Sequence, residues 1–132
     1  MDTVELELPA APNAPRLARA ALRDTLEQWH LEAVLDVAAL LTSELVTNVV
    51  HHVGAPMTLR VSRDVAALRV DVDDRSSASP SVRHVRPQSE HGRGVFLVDA
   101  LASDWGTERT AAGKTVWFEL EVASAPAEAL GG

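Results

Sequence analysis

The sequence predicts an α+β fold, a two-layer α/β sandwich with about three helices on one face of a mixed, mostly antiparallel sheet. Two observations carry the prediction. Apolar and polar residues alternate over 3–8, 57–63, 67–73 and 115–122, which is the period of half-buried strands. Apolar residues recur at helical spacing over 15–29, 32–53 and 93–102. The order β-α-α-β-β-loop-α-β-β then favours helices layered on one side of neighbouring hairpins.

Each element has its own signal. In TVELEL, Val4, Leu6 and Leu8 alternate with Glu5 and Glu7. Pro9, Pro12 and Pro15 break the chain after it, and Pro15 suits the first turn of a helix, where its missing N–H is no loss. Leu17, Ala21, Leu22, Leu26 and Trp29 give the first helix its apolar spacing. The second stretch, 32–53, contains no glycine or proline and is apolar almost all round, so it reads as a helix buried on most sides. Gly54 and Pro56 end it. Asp64 sits in the tight link of the hairpin that follows. Residues 75–93 show no apolar periodicity and read as a long loop, a length that is usually functional. RGVFLVDALA forms the third helix, and DWGTER, the turn AAGK and TVWFELEV close the fold as a hairpin. Residues 1–122 form one expected domain, and 123–132 an expected frayed tail.

Composition narrows the function. The chain has 132 residues, enough for a core that buries about two-thirds of the unfolded surface. It has no cysteine, which excludes disulfides, thiolate metal sites and a cysteine nucleophile. Its net charge of −7 argues against a broad nucleic-acid face, and aromatics at 4% offer no base-stacking platform. The acidic, proline-broken start is unlike a signal peptide, and no uninterrupted apolar run approaches a membrane span. The expected setting is cytoplasmic, with no membrane and no direct nucleic-acid partner.

Four groups of residues suggest chemistry. In SELVTNVVHH (43–52), Glu44, Asn48 and His52 are spaced four apart and form one helical stripe. That stripe is either a solvated edge or the wall of a cleft. In a cleft, the Asn48 carbonyl oxygen suits Mg²⁺ and Glu44 suits general-base work. Asp74 ends the strand LRVDVDD, either as a turn residue or as an acceptor for a ligand amino group. Gly92 and Gly94 open a helix, where bare backbone N–H groups can approach a phosphate. Arg75, Arg83, His84, Arg86, His91 and Arg93 make the preceding loop the most basic stretch of an acidic chain. Gly113-Lys114-Thr115 reads as a hairpin turn; P-loop spacing is absent, and a strand follows where a helix is needed.

Taken in order, these segments resemble the GHKL ATPase superfamily of gyrases, chaperones, histidine kinases and mismatch-repair ATPases, with the Bergerat ATP-binding fold. SELVTNVVHH resembles its N box, the strand ending in Asp74 its first glycine box, HGRGVFLV its second, and GKTVWFEL its third. The likeness spans about residues 3–122 and is greatest to small stand-alone proteins of the anti-sigma-factor serine/threonine kinase type. It implies ATP and Mg²⁺ as cofactors, with Glu44 as catalytic base and Asn48 as metal ligand. Asp74 would meet the adenine amino group, with Thr115 near the adenine. Gly92, Arg93 and Gly94 would form the phosphate-side hinge of a lid. The implied partners are a sigma factor and a small STAS-type antagonist phosphorylated on serine, and homodimers are common in such proteins. The first glycine box departs from the family pattern Asp-x-Gly-x-Gly: Asp74 is followed by Arg75, Ser76, Ser77 and Ala78. The alternative is therefore a catalytically inactive nucleotide-binding or partner-sequestering module. A metal hydrolase built on His51, His52 and Glu44 is weaker, because HExxH is absent.

Overall fold

Five antiparallel strands in the order β1-β2-β3-β5-β4 form a sheet in a computed structural model that describes residues 2–75, 92–111 and 113–122. The strands are β1 (Asp2–Leu8), β2 (Met57–Arg63), β3 (Ala67–Asp74), β4 (Asp104–Arg109) and β5 (Lys114–Glu121). The helices are α1 (Ala14–Gln28), α2 (Leu35–His52) and α3 (Gly92–Leu101). The expected α+β sandwich is therefore present, and every described pairing is antiparallel rather than mixed. The tail at 123–132 and most of the loop expected at 75–93 lie outside the described residues.

Strand register explains the core. Leu59 pairs with Val72 and Val61 with Val70, so the apolar residues of the β2–β3 hairpin share one face. Across β3, Val70 meets Phe118 and Leu68 meets Leu120. With Leu22 and Leu26 of α1, Leu41, Leu45 and Val46 of α2, and Val98 of α3, these side chains form one buried cluster. Each full burial of this kind is worth about 1.5–3 kcal/mol before chain entropy is counted.

The helices bury narrower faces than the sequence pattern suggests. On α1 the inward stripe runs through Ala14, Ala18, Leu22 and Leu26, while Leu17 stays exposed. Pro15 occupies the first turn as expected. His30 adopts the left-handed conformation just past the helix, and the Leu31 amide returns to the Leu26 carbonyl at 2.8 Å. The chain turns sharply there, so Glu32–Val34 form a 3₁₀ turn before α2 begins. Together Glu32–His52 have the length and mean hydropathy (1.6) of a membrane span. In this fold α2 packs against α1, α3 and β3 as a core helix. Gly54, at φ +67°, ends it, with its amide on the Val49 carbonyl.

The reverse face of the sheet is polar and laced with ion pairs. Arg60 reaches Glu5, Asp71 and Asp73. Arg69 grips Asp71 with two nitrogens and stacks 4.2 Å above the Trp117 ring. Glu5 foremost, with Asp73 and Asp71, raises the Arg60 pKa against the opposing effect of partial burial, and Asp71 foremost does the same for Arg69.

Candidate functional site

Helical geometry decides which flank of α2 carries the polar stripe. Leu41, Leu45 and Val49 point into the core. Ser43 accepts a hydrogen bond from Arg19 at 3.0 Å, which marks the α1 flank. At ~100° per residue, Glu44 and Asn48 fall on the flank away from Ser43. Both are half-buried, whereas His51 and His52 are exposed. The stripe is therefore neither core nor fully solvated over Glu44 and Asn48.

On α3 the buried residue is Val98, and Asp99 accepts a hydrogen bond from the Trp105 indole at 2.8 Å. That bond marks the side of α3 that faces β4, and α3 also packs against α2. The helix starts at Gly92, and Arg93 and Gly94 lie in its first turn. The first N–H groups of a helix have no partner within it, and here they lie at the end where the sequence suggests phosphate. Arg83, His84, Arg86 and His91 lie outside the described residues.

Asp74 closes β3 on the helix-covered face. Its partners across the sheet are Met57 and Lys114, and it is 3% exposed. The Lys114 ammonium lies 3.9 Å from its Oδ2. Thr115 is one residue further along β5, and strand alternation sends it to the reverse face. There its hydroxyl donates to Asp73 at 2.6 Å. The sheet therefore brings Lys114 to Asp74, and the Thr115 hydroxyl to Asp73 on the reverse face. The period of two is unforgiving: a shift of one residue changes the face.

Chain direction gathers these groups at one end of the sandwich. The four residues after His52 lead straight to Met57, the neighbour of Asp74. Asn48 lies one turn before His52, and Glu44 one more, each step about 6 Å along the axis. α3 runs toward β4, which starts opposite Glu119, so Gly92 lies at the end of α3 remote from that junction. The C-terminal half of α2, the start of α3, Asp74 and Lys114 converge.

This donor set fits a nucleotide with a bound cation. A buried carboxylate at the closed end suits an amino group. Neither the Glu44 nor the Asn48 side chain is engaged by a hydrogen bond or ion pair among the described residues. No group of three or more His, Asp or Glu residues that could cage a metal occurs among the described residues. Mg²⁺ needs none, since it is usually held by one or two protein oxygens together with phosphates.

One residue that matters here carried a different meaning in the sequence. A Cβ on Gly113 would overlap the Asp74 carbonyl oxygen and lie 2.8 Å from the Arg75 Cα. Gly113 therefore allows β5 to pack on the backbone that presents Asp74, a demand that a turn signal does not reveal.

Comparison with known proteins agrees with this architecture. No curated protein matches the chain. Among solved structures, the RsbU and RsbW domains of Rv1364c from Mycobacterium tuberculosis superpose with a TM-score of 0.68 at 21% identity, over 92% of this chain and 33% of theirs. The chain thus spans about a third of that protein, and the likeness is one of fold. A family model, the histidine kinase-like ATPase domain, matches residues 8–120. The chain belongs to the histidine kinase-like ATPase domain family.

Proposed function

We propose that this protein binds Mg²⁺-ATP and phosphorylates a serine or threonine of an antagonist protein, and that it also restrains a sigma factor in the cytoplasm. The observation that carries the ATP site is the buried Asp74 at the same end of the fold as Glu44, Asn48 and the start of α3. Family membership supports ATP binding. The printed name of the structural neighbour includes an RsbW domain, which supports an anti-sigma kinase reading.

In this reading Asp74 accepts a hydrogen bond from the adenine amino group. The first turn of α3 receives phosphate oxygens on its N–H groups. Asn48 would hold Mg²⁺, which when bound neutralises phosphate charge. Glu44 orients the acceptor hydroxyl and takes its proton as the oxygen attacks the γ-phosphorus. The bond from that phosphorus to the β–γ bridging oxygen breaks, and ADP leaves. The new phosphate changes the antagonist's charge and so its choice of partner.

Calorimetric titration of ATP, with and without Mg²⁺, tests the site. We expect Mg²⁺-dependent binding in the micromolar range that Asp74→Asn loses. Labelled phosphate transfer to a candidate antagonist tests the chemistry. Glu44→Ala is expected to keep ATP binding and slow transfer by about 10²–10⁴-fold. Robust transfer by that variant would remove Glu44 from its role.

The sequence after Asp74 favours a second reading, because Arg75-Ser76-Ser77-Ala78 supplies no glycine for close backbone approach. A non-catalytic module would hold its partner equally well as Glu44→Ala and transfer no phosphate.

A further inference from the structure

The two edges of the sheet are built differently. Hairpin closure fixes which backbone groups point outward. The Asp64 amide donates to the Ala67 carbonyl at 3.0 Å, so Asp64 faces β3, and alternate residues of an antiparallel strand face alternate neighbours. Counting back along the register, Met57, Leu59, Val61 and Arg63 face β1, where they meet Leu8, Leu6, Val4 and Asp2. Thr3, Glu5 and Glu7 therefore turn their N–H and C=O groups away from the sheet. Among the described residues no strand pairs with them there. On the other edge, the bond from the Thr110 amide to the Gly113 carbonyl closes the β4–β5 hairpin, and the same count leaves the Trp105 amide outward. The Asp104 carboxylate already takes that amide at 2.9 Å.

Charged side chains ordinarily guard an open edge. On β1 they are drawn inward. Arg63 holds Asp2 at 2.8 Å, Arg60 holds Glu5 at 3.0 Å, and Glu7 accepts from the Thr58 hydroxyl at 2.7 Å. All three partners lie on β2, so these carboxylates lean over the sheet rather than across its outer backbone row. They still set the character of the border. The Glu5 and Glu7 side chains are 58% and 64% exposed along the reverse face. Val4, 37% exposed, and half-buried Leu6 border the helix-covered face.

We infer that the outer edge of β1 accepts an antiparallel strand from a protein partner in which basic and apolar residues alternate. Backbone bonds to Thr3, Glu5 and Glu7 hold that strand. Cross-strand neighbours share a face, so lysine or arginine stands opposite Glu5 and Glu7, and aliphatic residues stand opposite Val4 and Leu6. A second copy of the chain suits the edge less well. The register that engages all three outward residues of both copies sets Glu5 against Glu5, and like charges directly opposite are destabilising. The inference is independent of the nucleotide reading.

Amide exchange followed by NMR tests it, on the whole chain with the blocked peptide acetyl-Lys-Val-Arg-Val-Thr-amide and its counterpart acetyl-Glu-Val-Glu-Val-Thr-amide. In the protein alone, the Thr3, Glu5 and Glu7 amides should exchange faster than those of Val4 and Leu6. The basic peptide should slow the first three by about fivefold or more, less so at high salt, and the acidic one should not. Thr3→Pro removes an outward N–H and no β1–β2 bond. It should weaken binding of the basic peptide by about tenfold while Val4 and Leu6 stay protected. Glu5→Lys/Glu7→Lys should reverse the ranking of the two peptides. Absence of slowing by the basic peptide, or equal slowing by both, overturns the inference. Slowing that grows with protein concentration in the absence of peptide gives the edge to a second copy and overturns the choice of partner.

Discussion

Gly113→Ala is the substitution whose effect can be worked most fully from geometry. The added methyl would overlap the Asp74 carbonyl oxygen and lie 2.8 Å from the Arg75 Cα and 2.9 Å from the Asp74 carbonyl carbon. Unstrained carbon contacts sit near ~3.5–4.0 Å, so the start of β5 must retreat by roughly 0.6–1 Å. The obstacle is backbone on both sides, and no side chain can swing away. Hydrogen bonds at that end of the β3–β5 ladder would stretch beyond their useful range. Overpacking of about 1–3 kcal/mol and about one weakened hydrogen bond give an expected loss of about 2–4 kcal/mol. Urea unfolding followed by tryptophan fluorescence measures that loss. ATP affinity should fall further than stability alone explains, because Asp74 moves. Gly54→Ala is the control: nothing lies within 4 Å of its added methyl, and its φ of +67° is the only strain. It should lose about 1 kcal/mol and keep nucleotide binding. Unchanged stability and ATP affinity in Gly113→Ala would refute the argument.

Three further outcomes follow from other contacts. Arg60→Ala removes a partner of Asp71, Asp73 and Glu5; with the arginine side chain 32% exposed, about 1–2 kcal/mol is expected in denaturant unfolding. The Ala66 amide first, then that of Ala67, holds the Asp64 pKa below the ordinary aspartate value. Its stabilising contribution is therefore full above the unfolded pKa and lost as pH falls through the folded one; an NMR titration should show the lowered midpoint, and Asp64→Asn should abolish that part of the acid response. His30→Gly relieves a left-handed residue and should raise stability by about 0.5–1 kcal/mol in the same urea assay.

The elements were legible because their periods were clean. The β2–β3 hairpin alternates without a break, and α2 is free of glycine and proline, so both follow the sequence pattern to within a few residues. Glu44 and Asn48 could be placed on one stripe, but not on a flank. Telling the flanks apart needs the Arg19–Ser43 bond, which joins residues far apart in the chain. Leu17 fits the apolar spacing of α1, yet the buried stripe runs through Ala14, Ala18, Leu22 and Leu26, and Leu17 is exposed. Thr115 shows the limit most sharply. Its identity and motif suggest the adenine, whereas the face it occupies depends on a strand register that only the paired sheet defines. Gly113 carries a steric demand from residues nearly forty positions earlier, which local turn chemistry does not encode.

The position of β5 between β3 and β4 also bears on how the protein matures. Residues at the end of β3 gain their clamp from a strand that leaves the ribosome after everything else described here. Pairing across so wide a sequence separation is slow, because the intervening chain must be closed before the contacts return anything. A nascent chain that has not yet docked β5 has α1, α2 and the β2–β3 hairpin, but lacks Gly113 and Lys114 against Asp74. Nucleotide would bind only after that docking and would draw the equilibrium toward the finished fold. Acquisition of ATP affinity during refolding would then time the arrival of the last strand.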